Sequence, residues 1–119
     1  MKYNKINMET TNIKKFENRK KSAIRLLAFL EAKKGKEFEL EKILLDLIHP
    51  TIKEDGNIAY VPHKSLENPL IFMFDEIWEN EKAIEEHFNQ PHMINIKEKL
   101  NPLLERPIEI HRYHEIIYK

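Results

Sequence analysis

The chain has 119 residues, of which 41% are hydrophobic and 34% are charged, and its formal net charge is zero. This length allows one domain with its own core, and the lack of cysteine excludes disulfides, thiolate catalysis and Cys-ligated metals. No stretch approaches the ~18 consecutive apolar residues of a membrane span, and the basic N-terminus lacks a signal-peptide core, so we expect a cytoplasmic protein.

The N-terminal segment carries most of the charge imbalance. Residues 1–21 contain seven Lys or Arg and two Glu, a net charge of +5 that the rest of the chain must balance. This segment has neither aromatic interleaving nor a basic helical face, so we expect a mobile arm and no contact with nucleic acid or membrane insertion. The remaining residues, 22–119, then form a single domain.

The first half of this domain reads as strand, helix and strand. Residues 23–32 are mostly apolar and predict a strand, and 37–48 show helical periodicity up to Pro50, which ends or kinks the helix. The buried stripe of that helix consists of Leu40, Leu44, Leu47 and Ile48. Residues 58–64 predict a second strand, and Pro62 within it indicates an edge position or a bulge.

The second half centres on a strand followed by a helix that carries a histidine. Residues 70–78 form a short run rich in aromatic and branched side chains, which predicts a strand. Asn80 then suits the N-cap of a helix. His87 follows Ala83 and Ile84 by four and three residues, so it should face inward with them.

Two further elements complete the domain. Pro91 suits the first position of a short helix with Met93, Ile96 and Leu100 on one face, and residues 108–118 predict the last strand. The order strand, helix, strand, strand, helix, strand predicts an α+β, ferredoxin-like split βαβ fold. Its four-stranded antiparallel sheet would carry the helices on one face.

The other face of this sheet is also apolar. Leu27 and Phe29 of the first strand, and Ile71, Met73 and Ile77 of the third, point away from the predicted core. Two helices cover only one face, so we predict a homodimer whose sheets pack against each other.

Few side chains suggest chemistry. His87 titrates near neutrality and could act as a base or orient a substrate, although the sequence alone favours a hydrogen-bonded core histidine. Glu76 shares a strand face with Phe74 and Trp78, and if buried its carboxylate would need a partner such as a His or Arg across a pocket. Trp78 could stack on a flat ligand or simply fill the core.

Each of the other candidates fits a structural role as well as a functional one. Tyr60, Phe72 and Phe74 either line a pocket or pack the core, and His92 either closes the pocket or caps the short helix. Metal binding is not predicted, because His87 and His92 are five residues apart with a Pro between them, and no His-x-x-x-His motif occurs. Ser22 and Ser65 lack the context of a nucleophile.

Several motifs resemble one known family. Glu76-Ile-Trp-Glu-Asn, Ala83-Ile-Glu-Glu-His87 and Gln90-Pro-His92-Met are similar to the signature of the antibiotic biosynthesis monooxygenase family, most of all its quinol monooxygenase-like members. The likeness extends to Lys34-Gly35-Lys36 and to Glu54-Asp55-Gly56-Asn57-Ile-Ala-Tyr60.

The resemblance implies a dimeric α+β barrel with a small-molecule pocket in each subunit. It implies oxygenation of a quinol-like or polyphenolic substrate by dioxygen without flavin or metal, with His87 and Glu76 as catalytic residues. Tyr60, Phe72, Phe74, Trp78 and His92 would bind the substrate. The family also contains isomerases and haem-degrading enzymes, but the Asn of the haem-degrading members has no counterpart in residues 26–32. A non-catalytic binding or stress-response module is the remaining alternative.

Overall fold

The computed structural model describes residues 22–116, so the predicted N-terminal arm and residues 117–119 lie outside the described residues. The elements follow in the order β1 (Ile24–Glu31), α1 (Glu37–Ile52), β2 (Asn57–Lys64), β3 (Ile71–Trp78), α2 (Glu81–Phe88), α3 (Ile96–Leu100), a 3-10 turn (Asn101–Leu103) and β4 (Glu109–His114). None of the described helices is both long and apolar enough to cross a membrane.

The four strands form one antiparallel sheet in the order β2-β3-β1-β4. The predicted ferredoxin-like α+β fold is therefore confirmed. β1 and β3 are the central strands, and β2 is an edge strand. Pro62 accordingly lies on an edge strand, one of the two positions predicted for it and one where sheets tolerate proline.

Strand alternation places the core on the helix-covered face of the sheet. Along β1 and β3, every second residue is buried, and the residues between are more exposed. The buried set consists of Ile24, Leu26, Ala28, Leu30, Phe72, Phe74, Glu76 and Trp78. The predicted α1 stripe of Leu40, Leu44, Leu47 and Ile48 packs against it.

The opposite sheet face, here called the open face, carries the apolar residues Leu27, Phe29, Ile71, Met73 and Ile77, all half-buried. No described helix packs on it. The ion pair between Arg25 and Asp75, 2.7 Å apart, lies on the same face.

Three predicted element boundaries differ from the structure by several residues, and most of the others differ by one at most. α1 continues past Pro50 to Ile52, because proline removes a single helical hydrogen bond while the buried Thr51 still anchors the last turn. The short helix begins at Ile96 and not at Pro91, because Asn95 adopts a left-handed φ of 68° that separates the two segments. The last strand ends at His114, well before the predicted end at residue 118.

Candidate active site

A cleft of about 1140 Å³ lies between the helix-covered sheet face and the helices. We call it the central cleft. Its walls include Leu26 and Ala28 of β1, Leu44 of α1, Leu100 of α3 and Ile110 of β4. Pockets for small molecules usually measure ~300–1,000 Å³, so this space admits a ligand with more than one ring.

Tyr60, Phe74 and Glu76 reach the central cleft from two paired strands. Tyr60 of β2 lies opposite Glu76 of β3 in the strand register. Its ring stacks on that of Phe74, with 4.5 Å between the centroids. This pair forms a flat aromatic wall beside a carboxyl group.

The carboxyl group of Glu76 is buried, with 4% of the residue exposed. Its Oε1 accepts a hydrogen bond of 2.8 Å from Nε1 of Trp78, so its partner is this indole and not the His or Arg that the sequence suggested. Burial raises the pKa of Glu76 to about 7, and the charges of Glu54 and Asp75 add to this, while the Trp78 hydrogen bond opposes it. Near neutral pH the group can therefore either give or take a proton.

The α2 helix sets the position of His87. The side chain of Asn80 accepts a hydrogen bond from the backbone N–H of Ala83 at 2.9 Å, which fixes the first turn as predicted. His87 is 1% exposed, so its predicted inward orientation is confirmed. Its ring centroid lies 4.5 Å from that of Trp78 and 5.8 Å from that of Tyr60.

A carboxylate from the α1–β2 turn holds the His87 ring. Oε2 of Glu54 lies 2.7 Å from Nδ1 of His87 and 2.8 Å from Nε2 of His92. Because a carboxylate only accepts, each of these ring nitrogens carries the hydrogen, which leaves Nε2 of neutral His87 with a free lone pair. Burial lowers the pKa of His87, and the hydrogen bond to Glu54 opposes this effect.

The predicted site residues fall into three groups. His87, Glu76, Tyr60 and Phe74 line the central cleft. Trp78 and Phe72 are buried, at 0% and 3% exposure, and lie behind the wall of the cleft. His92 does not line the cleft but meets Glu54 beside it.

Glu54 is the site residue that sequence reasoning missed. It belongs to a segment predicted only as a turn, 33 residues before His87 and 38 before His92 in the chain. No periodicity links such distant positions, although the segment is one of those that resemble the family. Glu54, His87 and His92 each offer an atom that could bind a metal, and these atoms lie within 4.8 Å of one another. The spacing of His87 and His92 in the sequence did not predict this group.

The fold and the central cleft define a class of protein: a ferredoxin-like α+β domain with a ligand-sized space between sheet and helices. Residues 23–99 match the family described as antibiotic biosynthesis monooxygenase. The chain belongs to this family, which confirms the resemblance seen in its motifs.

Relatives and solved structures agree with this assignment. The chain is 31% identical over 84 residues to the uncharacterized protein sll1783 of Synechocystis, a match covering 71% of this chain but only 57% of that protein. A conserved protein of Methanosarcina mazei has a similar structure, with a TM-score of 0.78, 31% identity and coverage of 84% and 99% of the two chains. Rv0793 of Mycobacterium tuberculosis, whose name marks it as a candidate monooxygenase, superimposes with a TM-score of 0.77 at 24% identity, covering 82% and 98%.

Proposed function

We propose that this protein is a monooxygenase that oxidises a quinol-like or polyphenolic small molecule with dioxygen in the central cleft. The observation that carries the proposal is the placement of two proton-transfer groups, His87 and Glu76, on the wall of an otherwise largely apolar cleft. Membership of the antibiotic biosynthesis monooxygenase family supports the same reaction class.

The aromatic wall suits a flat substrate. A quinol ring placed against Tyr60 and Phe74 would be held by stacking, while the aliphatic side chains of β1 and α1 exclude water. In this position the substrate hydroxyl would lie within reach of His87.

The reaction begins with the removal of a proton. Nε2 of His87 accepts the proton of the substrate hydroxyl, and Glu54 holds the ring in the tautomer that leaves this nitrogen free. The resulting quinolate is electron-rich and gives an electron to dioxygen, after which the two radicals combine at a ring carbon. Glu76, whose pKa is about 7, then supplies a proton to the outer peroxide oxygen. The O–O bond breaks and the ring carbon loses its hydrogen as a proton, so that water leaves and the hydroxyquinone forms.

The stoichiometry requires no other reductant. One quinol and one dioxygen give one hydroxyquinone and one water, because the quinol supplies all four electrons. One oxygen atom enters the ring, and the other leaves in the water molecule. The protein has to bind the ring, take and return protons, and keep bulk water away from the radical pair.

Oxygen uptake by the full chain with a panel of quinols tests the proposal. We expect uptake with at least one quinol and a fall in kcat of about 100-fold or more in His87→Gln, the usual contribution of general base catalysis. Glu54→Gln keeps the side-chain shape but weakens the control of the tautomer, so it should lower kcat with little change in KM. The matched control is His49→Ala, because His49 is exposed on α1 and lies outside the central cleft.

Two results would contradict the proposal. The first is the absence of uptake with every quinol, and the second is unchanged uptake in His87→Gln.

An isomerase is the alternative enzyme, favoured by the presence of two proton-transfer groups on one wall. It would exchange deuterium at a carbon next to a carbonyl under anaerobic conditions, whereas a binding module would show a saturable ligand and neither reaction.

We also propose that the protein is a homodimer. The open face carries five half-buried apolar side chains that no described helix covers. A second copy can cover them symmetrically.

A further inference from the structure

Glu54, His87 and His92 form a compact group beside the central cleft, here called the carboxylate–histidine cluster. Oε2 of Glu54 is 2.7 Å from Nδ1 of His87 and 2.8 Å from Nε2 of His92. Within residues 22–116 it is the one place where three side chains of the types His, Cys, Asp or Glu bring potential metal-binding atoms together. We propose that the cluster binds one divalent transition-metal ion, with zinc as the representative case.

The donor types support this choice of ion. Two imidazole nitrogens and one carboxylate oxygen are a ligand set that zinc uses when a fourth position is left for water or a ligand. Mg²⁺ and Ca²⁺ prefer sites made of oxygen atoms alone, so the two histidines select against them. The ion would replace the two ring hydrogens that now occupy the space between the nitrogens and the carboxylate.

Zinc coordination needs a shift of the two ligands that lie in turns. With bonds to zinc of about 2.0–2.1 Å, ligand atoms in a tetrahedral site lie about 3.3 Å apart. Each contact of a ring nitrogen with Glu54 would lengthen by roughly half an ångström, and the two ring nitrogens, now within 4.8 Å of each other, would come to the same separation. Glu54 lies in the turn between α1 and β2, and His92 lies in the turn that follows α2. Both can therefore shift while α2 keeps His87 in place.

Access and charge also favour an ion here. The side chains of His92 and Glu54 are 17% and 10% exposed, whereas that of His87 is 2% exposed, so solvent reaches the cluster from the His92 side. Among the described residues, the two imidazoles are the ion-pair partners of Glu54, and no Lys or Arg neutralises it. A cation would therefore meet a carboxylate whose charge no permanent positive charge offsets.

Ion binding has a consequence that rests on the proposed function. An ion on Nδ1 of His87 forces the hydrogen of the neutral ring onto Nε2, the nitrogen that would otherwise take the substrate proton. The ion-loaded protein should then be inactive as an oxygenase, and a chelator should restore its activity. Binding of the ion itself depends only on the three side chains and not on the reaction.

Calorimetric titration of the untagged, EDTA-treated full chain with ZnCl₂ tests the site. We expect one ion per chain, and a dissociation constant at least tenfold higher in His92→Ala and in Glu54→Gln. The matched control is His111→Ala, because His111 is also a histidine within 3.5 Å of a glutamate but has no third ligand. Circular dichroism establishes that each variant folds. His92 lies outside the hydrophobic core, so we expect His92→Ala to fold.

Cobalt provides a readout of the coordination itself. Co²⁺ in the wild-type protein should give visible absorption bands of the intensity typical of four-coordinate sites, and these bands should disappear in His92→Ala. MgCl₂ should give no saturable heat. The proposal is overturned if zinc does not bind saturably, or if His92→Ala and Glu54→Gln bind it as tightly as His111→Ala does. Neither readout needs a substrate, so a failure here is distinct from a failure of the oxygenase proposal.

Discussion

Glu76 connects the chemistry of the site with the stability of the fold. Its pKa is about 7 in the folded protein against 4.5 for the free side chain, so between these values the native state holds a proton that the unfolded chain has lost. The free energy of unfolding therefore falls as pH rises through this window, by about 1.4 kcal/mol per pH unit from this group. His87 has the opposite effect below pH 6.5, because burial lowers its pKa and the unfolded chain takes up the proton more readily.

Replacement of Glu76 by glutamine isolates its contribution. Glutamine keeps an oxygen that can accept from Nε1 of Trp78 but cannot ionise. We expect the stability of Glu76→Gln relative to the wild type to increase between pH 5 and pH 8. The free energy of unfolding of the variant minus that of the wild type should be about 2–3 kcal/mol larger at pH 8 than at pH 5. Urea unfolding of both proteins at the two pH values measures this difference, in which the contribution of His87 cancels. A gain that is equal at both pH values would show that Glu76 ionises normally in the folded state.

Among single side chains, the sequence predicted some contacts and not others. The inward orientation of His87 followed from its spacing to Ala83 and Ile84, a local property of one helix. The hydrogen bond that Trp78 donates to Glu76 joins residues two apart on a strand, yet the sequence suggested a partner across the pocket instead. Glu54 could not be predicted, because its contact with His87 arises only when the α1–β2 turn and α2 pack together.

Among the elements, α2 is fixed by a close approach to the start of β2. A Cβ added at Gly56 would overlap the methyl group of Ala83 and lie 3.3 Å from its Cα. The carbonyl of Gly56 also accepts a hydrogen bond of 2.9 Å from the N–H of Glu79, just before α2. The glycine therefore sets how closely the helix that carries His87 lies against the sheet.

Substitution of Gly56 should push this helix outward. We expect Gly56→Ala to lower the free energy of unfolding by about 1–3 kcal/mol through overpacking. In the double variant Gly56→Ala/Ala83→Gly the clashing methyl group is absent, so the loss should be smaller than the sum of the two single losses. Thermal or urea unfolding of the four proteins measures this coupling.

Gly35 provides the matched control for that experiment. It has a φ of +89°, and no atom lies within 4 Å of an added Cβ. Gly35→Ala should therefore cost about 1–2 kcal/mol through backbone strain alone. Ala83→Gly should show no coupling with it, since the two sites share no contact. Additive losses in the Gly56 pair would instead mean that the helix and the turn do not press on each other.

Element boundaries were predictable where a local signal dominates. Asn80 marks the start of α2, and the alternation of burial along β1 and β3 follows their apolar pattern. The end of α1 and the start of α3 could not be predicted in this way. Burial of Thr51 extends α1 past Pro50, and the left-handed backbone of Asn95 prevents α3 from starting before residue 96. In both cases packing or an unusual backbone angle outweighs the propensity of a proline.

At the scale of the whole molecule, the two faces of the sheet differ in what packs against them. The helix-covered face supplies both the core and the central cleft, whereas the open face has no cover among the described residues. A two-fold axis would place the same five apolar side chains of two copies against each other, and such self-complementary contacts are the commonest interfaces of homodimers. The open face therefore predicts an association that leaves both clefts accessible.

A single charge at the centre of the open face tests this association. Met73 pairs with Phe29 in the register of β1 and β3, so Met73→Glu places two carboxylates in each apolar dimer interface. We expect the wild type to sediment as a dimer and the dissociation constant of Met73→Glu to rise by at least about 100-fold, because removing these charges from water is costly. Analytical ultracentrifugation over a range of concentrations measures both. The control is Leu66→Glu, which adds the same charge at a residue that is 96% exposed and should leave the dimer unchanged. A monomeric wild type, or an equal response of the two variants, would mean that a second copy does not cover this face.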